Sequence, residues 1–380
     1  METIYRVYSG PKKKNLNLMM SQKPTIFLDE GKLDINFVPE KLVHREKELY
    51  LLSQLFLTLI TNPNSTSKKV LITGKTGLGK TVTVKAFGKI LLGEREISLR
   101  ELSEREIHSL RMKRKEIKYV HINCRKELTS HKVLIKIVRS LVDDKFPKRG
   151  YSPQELLGII IDDLKKNDYH VLIVLDELCY LISNREDLIY SLTRLNDDSL
   201  NNQQRISIIG IVRDISSLDE KFRSKIFQSK IFPIIELSNV IEFKSYSRED
   251  IFDILKYRAR VSLIDNAISD DILDRITEFV YKKGDIRIGL KIMWKAAKIA
   301  EKKGLKHISV ECINKMSKTL DELKAMFPKI WKKVYDAIKE GETNKEPTLV
   351  IYGRVKQVLT EAKIDKTIDL PIFEHWMTML

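Results

Sequence analysis

The sequence predicts an α/β protein built on a five-stranded parallel sheet, followed by an all-helical unit. Two observations carry this prediction. Five short, apolar, β-branched runs alternate with segments of helical period in the first 247 residues, an alternation typical of a parallel sheet covered by helices. From residue 248 onward, strand-like runs cease and amphipathic helical stretches follow. A chain of 380 residues has room for two or three domains, each with its own core.

The first half of the chain contains the predicted sheet. Residues 1–23 are basic and lack apolar periodicity, so we expect a flexible leader there. A helix is predicted from Val43, and it ends before Asn62-Pro63-Asn64. The predicted strands are 69–73, 119–123, 171–175, 206–212 and 241–243, and the helices between them are 81–92, 131–141, 153–166 and 187–196. Residues 93–118 form a highly charged insert, which we expect to be an exposed helix.

The second half is predicted to be helical. The helical stretches are 248–262, 270–281, 286–303 and 310–324, then 328–340 and 348–362, with a short apolar stretch at 370–380. The predicted domains are therefore a sheet domain (24–247), a helical unit (248–324) and a small C-terminal domain (325–380).

Composition excludes several classes of protein. The three cysteines, Cys124, Cys179 and Cys312, lie far apart and match no metal-ligand spacing, which argues against a secreted disulfide scaffold. No run of about 18 apolar residues or signal-type segment is present, so we expect a cytoplasmic protein without a membrane partner. The net charge of +16 indicates a polyanionic partner, with nucleic acid first. Residues 1–120 hold 23 basic and 13 acidic residues, so the excess is mainly N-terminal.

The strongest motif lies between the first predicted strand and the next helix. Residues 74–81 match G-x-x-x-x-G-K-[ST], in which backbone N–H groups surround phosphate oxygens at a helix N-terminus. The lysine neutralises the β and γ phosphates, and the final hydroxyl binds Mg²⁺. The predicted nucleotide-binding residues here are Gly74, Lys75, Thr76, Gly77, Leu78, Gly79, Lys80, Thr81 and Val82. We expect ATP or GTP to bind.

A second motif is the acidic pair Asp176-Glu177, which follows the buried run 171–175. The carboxyl ends of strands face the ligand in nucleotide-binding sheets. We therefore expect Asp176 to hold Mg²⁺ together with Thr81, and Glu177 to orient or deprotonate the attacking water. Asp176, Glu177 and Lys80 are the predicted catalytic residues.

These motifs, taken with 38–46, 192–196 and 284–287, resemble the archaeal replication-initiator family. That family is related to the eukaryotic origin recognition complex and the cell-division-control helicase loader. The resemblance runs from about residue 24 to residue 316. It implies an AAA+ core with ATP or ADP and Mg²⁺, a helical lid, and a C-terminal winged-helix domain that binds origin DNA.

The resemblance also implies roles for single residues. Val43 and Arg45 fall where the family borders the adenine, and Arg287 falls on the second sensor, a lid arginine that reaches the phosphates. Arg213 stands where the family usually has its first-sensor asparagine, and it cannot polarise the lytic water as an amide does. Lys221 stands in place of the trans-acting arginine, with Arg223 and Lys225 nearby. We therefore expect weak, slow ATP hydrolysis.

The DNA-binding end matches the family least well. The candidate third helix of the winged helix, 370–380, offers only Glu374 and His375 as ionisable groups. The candidate phosphate contacts are Lys332, Lys333, Arg354 and Lys356 in the C-terminal domain, and Lys126 and Lys132 after the second strand.

Three functions fit the sequence. The first is an ATP-dependent initiator that binds duplex origin DNA in the nucleoid, with homologous initiator subunits and the replicative helicase as further expected partners. The second is a regulatory paralogue that binds nucleotide structurally, hydrolyses it slowly or not at all, and partners a true initiator. The third is an unrelated P-loop ATPase that remodels proteins.

Overall fold

The computed structural model describes residues 25–94, 116–182, 204–213, 239–313, 328–344 and 346–361, together with 188, 191, 192, 373 and 377. Several predictions lie outside these residues. They are the leader at 1–23, all but the ends of the insert at 93–118, most of the helix at 187–196, residues 221–225 and most of 370–380, including Glu374 and His375.

A five-stranded parallel sheet forms the centre of the core, as predicted. The strands are β1 (Lys69–Thr73), β2 (Ile117–Asn123), β3 (His170–Asp176), β4 (Ile206–Ile211) and β5 (Val240–Glu242). Their order is β2-β3-β4-β1-β5, with every pairing parallel. All residues of β3 and β4 are buried, which explains why both appear in the sequence as continuous apolar runs.

Helices cover both faces of this sheet. They are α1 (Glu46–Leu55), α2 (Leu57–Thr61), α3 (Lys80–Leu91), α4 (Ser130–Leu141), α5 (Pro153–Asn167) and α6 (Cys179–Ile182). The single helix predicted from Val43 was wrong in two respects. His44 has a φ of 59°, outside the helical region, so α1 begins at Glu46. The helix is also interrupted at Phe56.

Three long helices follow the sheet and form the predicted helical unit. They are α7 (Arg248–Ser262), α8 (Asp270–Lys283) and α9 (Ile286–Lys302). Gly284 ends α8 with a φ of 70°, and the side chain of Asp285 caps α9 by accepting from the N–H of Arg287. Of the helix predicted at 310–324, the first four residues are described and are helical.

The segment before α1 packs on the helical unit, although the predicted boundaries assign it to the sheet domain. Ile26, Phe27 and Leu33 belong to the apolar cluster formed by α7, α8 and α9. Phe27 bridges to Leu263, and Glu30 accepts hydrogen bonds from Trp294 and Lys298. We call residues 25–44 the N-terminal strap, because they start on the helical unit and end at the sheet domain.

Two further helices, α10 (Pro328–Thr343) and α11 (Thr348–Glu361), form most of the described part of the predicted C-terminal domain. Val334 and Ile338 of α10 are buried, as are Ile351 and Val355 of α11. The helices approach so closely that a Cβ atom on Gly341 would lie 2.5 Å from Cγ1 of Ile351.

Within the described ranges no helix is long and apolar enough to span a membrane.

The strap offers a matched pair of substitutions. Ile26 is fully buried in the apolar cluster of the helical unit, whereas Leu28 is 62% exposed. We expect Ile26→Ala to lower the free energy of unfolding by about 2 to 5 kcal/mol, and Leu28→Ala to change it by less than about 0.5 kcal/mol. Urea unfolding of both variants measures this, and equal effects would show that the strap does not pack on the helical unit.

Candidate functional site

The loop at residues 74–79 connects β1 to α3 and has the backbone that its glycines predict. Gly74, Gly77 and Gly79 have φ values of 139°, 81° and 86°, a region that side chains with a Cβ rarely adopt. The loop leads directly into the N-terminus of α3, and a glycine-rich turn of this kind can direct its amides toward a phosphate. This is the geometry of a phosphate-binding loop.

Lys80 is the first residue of α3 and lies against the loop. Its Nζ donates to the carbonyl oxygens of Gly74 at 2.5 Å and Lys75 at 2.7 Å. Burial lowers the pKa of the Lys80 ammonium. Glu177 and Asp176 oppose that shift, and Arg213 and Arg287 add to it. Several charged groups thus converge on Lys80.

The predicted metal-binding pair is brought together. Asp176 ends β3 and is buried, and its Oδ2 accepts a hydrogen bond from Thr81 Oγ1 at 2.9 Å. Mg²⁺ prefers oxygen ligands, and protein sites commonly supply one or two of them while phosphates and water supply the rest. A hydroxyl and a carboxylate at one point, beside a phosphate-binding loop, fit such an ion. In the described part of the chain, no group of three His, Cys, Asp or Glu side chains could hold a metal by itself.

Glu177 follows Asp176 and has a φ of 55°, the left-handed region that is uncommon for side chains with a Cβ. Its N–H donates to Oδ1 of Asp176 at 2.9 Å. Its carboxylate forms an ion pair with Arg213, with 3.2 Å between Oε2 and Nε. The predicted general base is thus paired with the arginine at the first-sensor position.

The helical unit contacts the loop through the cap of α9. A Cβ atom on Gly77 would overlap the carboxylate of Asp285 and would lie 2.8 Å from its Cα. The same carboxylate pairs with Arg287, whose Nε and Nη2 atoms donate to it. This hydrogen bond raises the pKa of Arg287, so the guanidinium stays charged. Arg287 therefore lies at the cavity with a carboxylate as its partner.

The structure places Val43 and Arg45 beside the cavity, but Arg45 is already engaged. Its Nε donates to the carbonyl of Leu78 at 2.9 Å, and its Nη2 donates to that of Lys244 at 2.8 Å. The guanidinium carbon lies 3.9 Å from the ring centroid of Tyr246. Arg45 thus fixes the phosphate-binding loop to the segment after β5, and only its stem is left to border an adenine.

Most of these groups surround one cavity between the sheet and the helical unit. Of the predicted site residues, the following line it: Val43, Arg45, Thr76, Gly77, Leu78, Gly79, Lys80, Thr81, Val82, Asp176, Glu177, Arg213 and Arg287. Gly74 and Lys75 do not line it, although their carbonyls receive Lys80. Other residues that line the cavity were not predicted from the sequence. They include Ile35 and Phe37 of the strap and Tyr257 and Arg258 of α7.

Arg258 connects the strap to α7. It is buried in α7, and it donates from Nε to the carbonyl of Lys32 and from Nη2 to that of Asp34, both at 2.8 Å. Its guanidinium carbon lies 5.3 Å from the ring centroid of Phe37. Burial lowers the pKa of Arg258 to about 10. No motif marks this residue, because its partners are main-chain atoms far away in the sequence.

The predicted DNA contacts lie on two separate parts of the chain. Lys126 follows β2 and Lys132 is in α4; both are exposed, as are Lys332, Lys333 and Lys356 on α10 and α11. Arg354 differs, because its Nη2 pairs with both carboxylate oxygens of Glu346 at 2.9 and 3.0 Å. It is therefore committed to the packing of the C-terminal helices.

Two family models match the chain and show which class of protein it is. Residues 64–214 match the family model described as AAA domain, and residues 252–318 match the model described as Cdc6 AAA+ ATPase-type lid domain. The chain is thus an AAA+ core with a Cdc6-type helical lid, and we call the unit after β5 the lid from here on.

Individual relatives then identify the family. The chain is 33% identical to ORC1-type DNA replication protein 2 of Saccharolobus solfataricus over 305 residues, which cover 78% of this chain and 68% of the relative. It is also 33% identical to the protein of that name from Sulfolobus acidocaldarius, with 83% and 73% covered. The chain belongs to the ORC1-type DNA replication protein family.

Solved structures have the same fold. The Aeropyrum pernix ORC2 protein, in its ADPNP-ADP complexes, matches with a TM-score of 0.64 at 18% identity, covering 93% of this chain and 90% of that one. The A. pernix ORC1 protein in complex with DNA matches with a TM-score of 0.59 at 24% identity, covering 92% and 86%.

The contact between Gly77 and Asp285 leads to a test of the site. Gly77→Ala would place a methyl group against the lid and force a left-handed backbone on alanine. The phosphate-bound loop keeps this strained backbone, which costs roughly 1 to 3 kcal/mol, whereas the free variant can relax it, so we expect the affinity for ADP, measured by calorimetry, to fall at least about fivefold. Gly158→Ala is the control, since its Cβ would meet open space in the middle of α5. Equal affinities for the two variants would contradict the role of this contact.

Proposed function

We propose that the protein is an ATP-dependent initiator that binds duplex origin DNA and helps to start DNA replication. The observation that carries the proposal is the convergence of the phosphate-binding loop, the Thr81–Asp176 pair and the lid residue Arg287 on one cavity. Membership of the ORC1-type family supplies the biological setting.

ATP would lie with its phosphates on the loop and its base toward the strap. The amides of residues 75–81 bind the phosphate oxygens, and Lys80 exchanges its two carbonyl partners for the β and γ phosphates. Thr81 and Asp176 hold Mg²⁺, which neutralises the phosphate charge. Val43 and the strap residues then border the adenine.

In this proposal Glu177 is the general base, and its carboxylate is paired with Arg213. The Nε atom of Arg213 lies 3.2 Å from Oε2 of Glu177. When a γ phosphate draws Arg213 away, the Glu177 carboxylate is released to accept a proton from water.

Through the lid, bound nucleotide would alter the arrangement of the rest of the chain. Arg287 leaves Asp285 for the phosphates, and α9 moves with it, because Arg287 lies in the first turn of α9 and Asp285 is its N-cap. The angle between core and lid then sets how the exposed lysines of the core and of the C-terminal domain meet duplex DNA. We propose that the C-terminal domain, residues 325–380, is winged-helix-like. Homologous initiator subunits and the replicative helicase are proposed as further partners in the nucleoid.

One observation favours a second function, that of a regulatory paralogue that hydrolyses ATP slowly or not at all. Arg213 takes the place of an asparagine and forms an ion pair with the general base instead of orienting water. Such a protein would use nucleotide to fix its shape and would act by partnering a true initiator.

ATP turnover by the pure protein, with and without duplex DNA, separates the two functions. For an initiator, we expect Glu177→Gln to lower the rate by about 10² to 10⁴-fold, because the general base is lost. Arg213→Asn should raise it by more than the factor of about five that an ion pair of about 1 kcal/mol allows, because the asparagine amide can also orient the attacking water. Glu242→Gln, an exposed change on β5, is the control. Nucleotide binding without turnover in wild type and Arg213→Asn alike would instead favour the regulatory paralogue.

DNA binding is tested by its salt dependence. The logarithm of the affinity for duplex DNA should fall with the logarithm of salt concentration, with a slope of about −0.9 per phosphate contact. We expect the double substitution of Lys126 and Lys132 by alanine to make that slope shallower by about 1.8. Alanine at both Lys165 and Lys166, two exposed lysines of α5, is the charge-matched control. A flat salt response of the wild type would refute the proposed DNA partner.

A further inference from the structure

A chain of hydrogen bonds runs from the edge strand of the sheet to the proposed metal ligand. Tyr119 and His121 are two residues apart on β2, so both side chains lie on the same face. The hydroxyl of Tyr119 lies 3.0 Å from Nδ1 of His121, and Nε2 of His121 lies 3.2 Å from Oδ2 of Asp176. The same Oδ2 atom accepts from Thr81.

These contacts fix which nitrogen of His121 carries the proton. Burial, and secondarily the charge of Asp176, raises the pKa of Tyr119, so its phenol keeps its single proton. When that proton is donated to Nδ1, the imidazole proton lies on Nε2 and faces a carboxylate that can only accept. The competing acceptor, the carbonyl of Val84, is farther from the hydroxyl, at 3.3 Å.

The chain is held against the helix that carries the phosphate-binding loop. A Cβ atom on Gly88 of α3 would lie 2.6 Å from the ring of Tyr119, so only glycine lets the ring pack there. Tyr119 therefore contacts α3 with its ring and His121 with its hydroxyl. Together with Thr81, this ties β2, β3 and α3 to one carboxylate.

The Asp176 carboxylate is surrounded on both oxygens. Oδ1 accepts from the N–H of Glu177, and Oδ2 accepts from Thr81 and His121. A carboxylate with donors on both oxygens cannot rotate freely. Ligating carboxylates are commonly oriented by such hydrogen bonds, and their loss weakens metal binding about 10- to 100-fold.

We propose that His121 is a positioning residue for Mg²⁺. It donates its Nε2 proton to Asp176 and fixes the carboxylate at the angle needed beside Thr81, while Tyr119 sets the tautomer. The proposal rests on the proposed nucleotide and Mg²⁺ binding, and it adds two residues that no part of the phosphate-binding motifs contains.

The test measures Mg²⁺ affinity apart from catalysis. A fluorescent ADP is bound to the full chain in EDTA, and Mg²⁺ is then titrated into the complex. We expect His121→Leu to weaken the apparent Mg²⁺ affinity about 10- to 100-fold and to leave ADP affinity in EDTA within about twofold. His121→Gln should restore most of the loss, because its amide nitrogen can donate where Nε2 does.

Two more variants complete the design. Tyr119→Phe keeps the ring against Gly88 and removes only the hydroxyl, so we expect a loss of about fivefold in Mg²⁺ affinity, the value of one hydrogen bond. This variant also carries the test if His121→Leu fails to fold. His131→Leu removes a histidine that bonds the carbonyl of Tyr151 instead, and it should leave Mg²⁺ affinity unchanged.

The outcomes distinguish failure of the positioning role from failure of the proposed function. Unchanged Mg²⁺ affinity in His121→Leu or in Tyr119→Phe, or a glutamine variant no better than leucine, would overturn the positioning role alone. A wild-type protein that binds no ADP even in EDTA would overturn the proposed function and the positioning role together.

Discussion

The site depends on one buried charge, the carboxylate of Asp176. A buried anion is costly unless hydrogen bonds replace the water it has lost. Thr81, His121 and the N–H of Glu177 provide that replacement. Thr81 lies in the helix that follows β1, and Asp176 ends β3. Because β4 lies between β1 and β3, the bond from Thr81 to Asp176 joins segments whose strands are not neighbours in the sheet. The strand order must therefore form correctly before the site can exist, and fold and site are specified together.

Three cations of the cavity share a second constraint, because each already has a protein oxygen as its partner. Lys80 is bound by two carbonyls, Arg213 by Glu177 and Arg287 by Asp285. A phosphate chain would not meet three free charges; it would replace three existing partners. A ligand shifts a conformational equilibrium only by its differential affinity for the two states. The difference in nucleotide affinity between the two states would arise from the release of Glu177 and the movement of α9.

The sheet and the phosphate-binding loop were predictable because their signals are local. Strands buried on both faces form contiguous apolar runs, and the loop is one contiguous motif. The strap, Arg258 and His121 were not predictable, because their partners are distant. Arg258 bonds a carbonyl 226 residues away, and carbonyls have no side-chain signature. Arg45 was assigned to the adenine border by resemblance, whereas packing on Tyr246 determines where its guanidinium lies.

The Arg213–Glu177 pair bears on how hydrolysis would be slowed under the proposed function. The Arg213 side chain is 43% exposed and that of Glu177 is 29% exposed, so water screens their attraction, and such pairs contribute about 1 kcal/mol or less. An interaction this weak would slow the reaction by about fivefold at most, since 1.4 kcal/mol corresponds to a factor of ten. A triphosphate would separate the pair readily. A guanidinium has no acceptor, so it cannot receive a hydrogen bond from the attacking water as the oxygen of an amide can. Arginine at position 213 would therefore limit the rate mainly because it cannot orient that water, and only slightly because it holds the base.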